Sequence, residues 1–297
     1  MKPILSAAAA ILISAAGARA APLVLTFAAS AYSSPDGAAL KAPEGLACTS
    51  DGKVVVADSG NRRLLVFAWK GGTFDGGTPI KFDELGFPTR VQIDAAGNVL
   101  ALDQQGRRIV RVGVEGKFDG FVSMRGVPVE AGYAPVAFKL DRAGAIYVLD
   151  VTSARVVVLD RAGAFVRQVR LPERRIISDI GIDAAGTLYA VDAIGGTVYK
   201  AAAGSGAFAV FAKGLKEYLN YPVYIDFNDR GQILLVDQNG NGIVVLGPDG
   251  SFQGRQLSIG WSDGLVYYPA QICSASRGVV FVADRNNNRV QAFSTAQ

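Results

Sequence analysis

One unit recurs six times along the chain, and this repetition limits the possible folds more than any other feature. Each copy reads as a short apolar strand, a turn with Gly, an apolar strand ending in Asp, then a second turn and a third apolar strand. The clearest copy runs Pro43-Glu44-Gly45-Leu46-Ala47 through Asp51-Gly52, then Val54-Val55-Val56-Ala57-Asp58, then Ser59-Gly60-Asn61-Arg62-Arg63-Leu64-Leu65-Val66-Phe67. The strand-ending aspartates are Asp58, Asp103, Asp150, Asp192, Asp237 and Asp284, separated by 45, 47, 42, 45 and 47 residues. Turn glycines keep the same rhythm at Gly52, Gly97, Gly144, Gly186, Gly231 and Gly278. A period in the 40s with several strands per unit is the spacing of propeller blades. Segments such as Ala145 to Leu149 and Gln232 to Val236 are too short and too evenly apolar for amphipathic helices, and suit strands buried on both faces.

Five units continue into a fourth strand, marked by Gly-x-Phe at Gly72, Gly116, Gly163, Gly206 and Gly250. The sixth stops after its third strand, near Phe293, and Leu23-Val24-Leu25-Thr26-Phe27 at the other end is available to complete it. The predicted fold is therefore all-β: a six-bladed β-propeller of four-stranded antiparallel blades, its ring closed by the N-terminal strand, forming a single domain over 21–297. Closure of this kind removes edges that would otherwise pair with other chains.

Residues 1–20 read as a signal peptide. Lys2 precedes an apolar run from Ile4 to Ala16, and Ala18-Arg19-Ala20 resembles an A-x-A cleavage site. The run is shorter than the ~20 residues a membrane span requires. The expectation is an exported protein, periplasmic or secreted, without membrane insertion. Removal of this segment leaves 28 basic and 26 acidic side chains, a charge of +2 that gives no reason to expect a nucleic-acid partner. The chain has no histidine, which excludes Ser-His-Asp triads, Cys-His pairs and histidine-ligated metals.

The turn between the second and third strands carries a specific resemblance. Asp58-Ser59-Gly60-Asn61-Arg62-Arg63 and Asp284-Arg285-Asn286-Asn287-Asn288-Arg289, each followed by an apolar strand ending in Phe, are similar to the NHL-repeat signature. Asp103 with Arg108 and Asp150 with Arg155 keep only the Asp and Arg, while Thr197 and Gly242 replace the Arg in units four and five. The resemblance implies a propeller but no single activity, because propellers host many. Recurrence of Asp and Arg around the ring fits architecture: Asp accepts backbone N–H groups and Arg reaches a neighbouring acceptor.

Aligning the first strands on Pro43 separates two sets. Leu46, Val91, Phe138, Ile180, Ile225 and Ile272 are uniformly apolar and are expected to pack between blades, whereas the alternate positions vary. Among these, Arg90, Lys139, Asp179 and Asp226, with Glu44 and Tyr224 at the rim, are the candidate pore lining. They either bind a ligand or neutralise one another in a wet channel. No cofactor is expected under the binding reading. Related six-bladed lactonases hold a Ca²⁺-like ion with Glu, Asn and Asp from inner strands, so the resemblance implies an alternative: a metal-dependent lactonase or esterase using Glu44, Asp179 and Asp226. Asp226 lies two residues deeper than Asp179, and Arg90 at the level of Asp179 would oppose a cation. The histidine-dependent amidating lyases with similar propellers are excluded by composition.

Cys48 and Cys273 lie on the first strands of units one and six, five and four positions after Pro43 and Pro269. Opposite parity is what contact between neighbouring blades requires, so the two are a candidate disulfide across the closing junction in an oxidising compartment, the alternative being two buried free thiols that act as small hydrophobes. The functional expectation is a monomeric, non-catalytic platform for an extracytoplasmic protein, peptide or glycan. Its candidate recognition segments are Gly120 to Ala134, Lys213 to Tyr221 and Ile259 to Tyr268, each carrying aromatics or Met beside Gly. The basic pairs Arg62-Arg63, Arg107-Arg108 and Arg174-Arg175 are expected to be solvated turns.

Overall fold

The computed structural model describes residues 22–128, 132–275 and 278–295. The segment 1–20 read as a signal peptide lies outside the described residues.

Apolar runs bounded by glycine turns form six four-stranded antiparallel sheets in a ring. The innermost strands of blades one to six are Pro43–Cys48, Pro88–Ile93, Pro135–Leu140, Ile177–Ile182, Pro222–Phe227 and Pro269–Ala275. Each is followed outward by the strand ending in Asp, such as Lys53–Asp58 or Ile146–Asp150, whose residues are almost wholly buried. Leu46, Val91, Phe138, Ile180, Ile225 and Ile272 are all buried, as the alternation predicts, and join apolar clusters that run from blade to blade.

The ring closes as expected, with a shifted strand. Leu25–Ala31, rather than 23–27, pairs antiparallel with Arg289–Thr295, from Leu25 opposite Thr295 to Ala31 opposite Val290. Leu23 precedes this strand and is buried against Val280 and Phe293. Cys48 and Cys273 form a disulfide with their Cα atoms 5.9 Å apart, so the ring is closed by strand pairing within blade six and by a covalent bond between blades one and six.

Every innermost strand carries a β-bulge near its start, between Pro43 and Gly45, Pro88 and Arg90, Pro135 and Ala137, Ile177 and Asp179, Pro222 and Tyr224, and Pro269 and Ile272. A bulge adds one residue opposite its partner strand and re-aims a side chain. Here it positions the site: Glu44, Thr89, Val136, Ser178 and Val223 turn to the mouth, where they line one cleft. The residues that follow them enter the channel. The same mouth carries the Asp-ended turns and the blade-to-blade connections, because each strand-starting residue pairs with the aspartate of its blade.

Candidate functional site

The repeated aspartates are buried architectural acceptors. Asp58 takes the Lys41 N–H at 2.7 Å, Asp103 that of Phe87 at 2.8 Å, Asp237 that of Tyr221 at 2.7 Å and Asp284 that of Tyr267 at 2.7 Å. Each thereby ties an incoming connection to its own blade. The arginines complete them: Arg63 Nε meets Asp58 at 2.7 Å, Arg289 Nε meets Asp284 at 2.7 Å, and Arg108 and Arg155 approach Asp103 and Asp150 at 3.4 Å. Arg63 is therefore a buried partner, not a solvated turn residue. In the degenerate units the cation arrives from elsewhere. Arg255, on the fourth strand of blade five, donates to Asp237 at 2.9 Å, and Arg175, from the connection into blade four, lies 3.8 Å from Asp192. Gly242 makes the first substitution possible, since a Cβ there would lie 3.1 Å from Arg255 Nε and 2.8 Å from the Gln256 carbonyl.

The channel is filled by side chains that bond to one another and to strand carbonyls, leaving Arg90 Nε, Asp179 Oδ1 and Gln271 Oε1 buried without a partner. Lys139, 6% exposed, donates to the Ile225 carbonyl at 2.9 Å, lies 3.4 Å from the fully buried Asp179, and sits over the Tyr224 ring at 3.5 Å. Asp179 also accepts the Ile225 N–H at 3.0 Å. Gln271 donates to the carbonyls of Leu46 and Val91, at 2.6 and 3.1 Å, and to Tyr224 Oη at 3.2 Å. Arg90 reaches across to the Val223 carbonyl at 3.0 Å. These bonds cross the axis and cross-tie all six blades. Burial pulls the Lys139 ammonium down, but Asp179, Tyr224 and Asp226 more than offset it, so it titrates above a free lysine. Burial, opposed by Lys139, pushes the Tyr224 phenol up. A neutral phenol and a charged ammonium at neutral pH are the states this hydrogen-bond pattern needs.

The sequence-selected site residues therefore separate into three places. Arg90, Lys139, Asp179 and Tyr224 meet in the channel, with Tyr224 buried rather than at the rim because the bulge directs Val223 to the mouth instead. Glu44 stays at the mouth, bound to Arg285 at 2.8 Å. Asp226 lies toward the opposite mouth, lining a cavity with Asp141, Asp183 and Asp229, and burial, opposed by Lys139, raises its pKa. Glu44, Asp179 and Asp226 thus do not form one ligand set. Among the described residues, no group of three or more Asp, Glu, His or Cys gathers where a metal ion would sit.

At the connection-bearing mouth a cleft of about 760 Å³ opens over the junction of blades three and four. Its aliphatic wall includes Val136, Val151, Leu171, Ile176 and Val223, and among the described residues its arginines are Arg90, Arg155, Arg170, Arg174 and Arg175 against two acids, Glu44 and Glu173. Sequence reasoning assigned Arg174-Arg175 to a solvated turn and passed over Arg170. No spacing rule marks them, because the cleft is assembled from distant segments. The predicted recognition segments differ in exposure. Met124 and Tyr133 pack onto a buried cluster, and Tyr218 stacks on Phe252 with ring centres 3.7 Å apart. In the third segment Trp261 is 74% exposed, with Tyr267 at 6.0 Å and Tyr268 beside Tyr267 at 5.2 Å.

These features define the chain as a six-bladed β-propeller with a sealed axis. Residues 40–67 and 266–293 each match the NHL repeat, so this six-bladed propeller carries NHL repeats in its first and last blades. No curated protein matches its sequence significantly. Among solved structures, a streptogramin B lyase is similar at 14% identity with a TM-score of 0.64, the alignment covering 93% of this chain and 98% of that one. A gluconolactonase from Xanthomonas campestris is similar at 18% identity and TM-score 0.64, over 93% and 95% of the two chains. A chain of a nidogen/laminin complex is similar at 18% identity and TM-score 0.60, over 79% and 92%. At these identities the likeness is one of fold, shared by enzymes and binding modules alike.

Proposed function

We propose that the protein is a non-catalytic, monomeric, extracytoplasmic binding propeller that holds a protein, peptide or glycan at its connection-bearing mouth. The observation that carries this reading is the contrast between the two polar regions. The channel residues are buried and spend most of their hydrogen bonds on one another and on strand carbonyls, whereas the mouth presents an open cleft with aliphatic walls and several arginines, and an exposed Trp261. Clefts of a few hundred cubic ångströms with convergent polar groups, and exposed Trp or Arg, are usual features of recognition surfaces. The disulfide and the leader-like first 20 residues support an oxidising compartment outside the cytoplasm.

The rival reading is a metal-dependent lactonase or esterase, in line with the gluconolactonase among the similar structures. It would need Glu44 to leave Arg285, Asp179 to leave Lys139, and Asp226 to act from the opposite side of the plug. A lyase chemistry like that of the virginiamycin B lyase, a histidine-to-alanine variant of which is described as catalytically inactive, has no counterpart residue in a chain without histidine. Elemental analysis of protein purified without chelator, together with lactone and ester turnover assays, tests the choice. The binding reading predicts no stoichiometric Ca²⁺ and no turnover. One ion per chain, with turnover abolished by chelator, overturns it.

A further inference from the structure

We propose that the cleft over blades three and four binds an acidic peptide segment, its carboxylates held by arginines and its aliphatic side chains by the apolar wall. This rests on the binding reading and narrows it to one ligand class. Three of the five arginines are already answered within the fold: Arg155 by Asp150, Arg175 by Asp192, and Arg90 partly by carbonyl oxygens. Arg90 Nε nevertheless remains buried without a hydrogen-bond partner at the floor of the cleft. Arg170 and Arg174, on its exposed wall, make no side-chain hydrogen bond or ion pair among the described residues. Of the two acids that line the cleft among the described residues, Glu44 is neutralised by Arg285, which leaves these side chains with a surplus of positive charge on a chain whose overall charge is only +4.

Guanidinium groups are planar forks that match carboxylates, and their convergence sets the sign of the ligand. The apolar wall sets its other half. Val151 is 40% and Ile176 59% exposed, and the aromatic contribution is a single Tyr221. Sugar rings are gripped by stacking on aromatic faces, so an aliphatic wall with one tyrosine favours Leu- or Val-like side chains. The volume of about 760 Å³ accommodates a short segment rather than a whole domain.

The test uses the full chain and a tetramethylrhodamine-labelled, C-terminally amidated decapeptide of glutamate and leucine, so that all carboxylates are side-chain groups. Fluorescence anisotropy is compared with a glutamine–leucine and a glutamate–serine peptide. The glutamate–leucine peptide is expected to bind most tightly and to weaken as salt screens the arginines. Arg170→Gln/Arg174→Gln is expected to reduce affinity about tenfold, since each lost charge-assisted pair is a substantial part of such an interaction. Both side chains are exposed and unpaired, so the variant's melting curve should match the parent's, and Arg174→Ala alone should show a smaller loss in the same direction. No binding, equal binding of the glutamine–leucine peptide, or an unchanged affinity in the double variant overturns the proposal. Chemical cross-linking in the native envelope separates the two levels: a mouth-dependent adduct that the double variant retains removes the acidic-peptide assignment and keeps the binding reading, whereas absence of any adduct removes the binding reading itself.

Discussion

Breaking the Cys48–Cys273 bond perturbs the unfolded chain far more than the folded one. In the native ring these strands are neighbours in any case, since Leu25–Ala31 completes blade six and the two blades share the apolar cluster around Leu46, Phe281 and Val290. The bond spans 225 residues, almost the whole propeller. In the chain-entropy treatment, releasing a loop of that length returns about 5 kcal/mol of conformational freedom to the unfolded state. At roughly 2 °C per kcal/mol for a chain of this size, the melting point of Cys48→Ser/Cys273→Ser should fall by roughly 10 °C. The denaturant slope should rise, because the uncrosslinked unfolded chain exposes more surface. Urea unfolding of parent and variant, each with and without reductant, is the assay. Reductant should bring the parent to the variant's midpoint and leave the variant unmoved. A loss below about 1 kcal/mol, or an equal effect of reductant on both proteins, would refute the reasoning.

Other substitutions probe the plug and the ring of aspartates. Lys139→Met should cost about 3 kcal/mol by leaving Asp179 buried without its cation, and adding Asp179→Asn should recover part of the loss in the same unfolding assay. Asp226 titrates above its unfolded value of 3.8, so the native state holds its proton more tightly; the resulting stabilisation is complete below that pH and is lost as pH rises through the folded pKa. Asp226→Asn lacks that loss, so unfolding measured from acidic to neutral pH should show the variant gaining on the parent as pH rises. Arg255→Gln should cost about 1–2 kcal/mol by withdrawing the charged donor from the buried Asp237, and Arg63→Gln should cost more, because its guanidinium is far less exposed.

The six blades were legible because the punctuation that makes them is local. A glycine turn and a strand-ending aspartate recur in every unit, and Asp58 and its equivalents act on backbone only a short distance away in the chain. The disulfide was legible through parity, which survives because blades one and six carry the bulge at the same place. What the sequence concealed is non-local. The bulge that buries Tyr224 and presents Val223 at the mouth follows from strand pairing, and period-two alternation does not reveal it. Arg255 replaces the arginine missing at Gly242 from another strand of the same blade, and Arg175 serves Asp192 from a connection, so a motif search sees only the absence. The cleft draws Arg90, Arg170 and Arg174 from two different blades and a connection, with no spacing that joins them. Nor does aromatic content in the recognition segments state exposure: Tyr218 is half-buried and stacked on Phe252, whereas Trp261 is exposed.

Site-specific photo-cross-linking would test the central claim, that recognition occurs at the connection-bearing mouth, most directly. A benzophenone amino acid is placed at Arg174 or Trp261 on that mouth, and at Ala185, which is exposed on the opposite one. Illumination of cells making the full chain should yield defined adducts from the first two positions and none from Ala185. Adducts from Ala185 with none from the mouth would contradict the account.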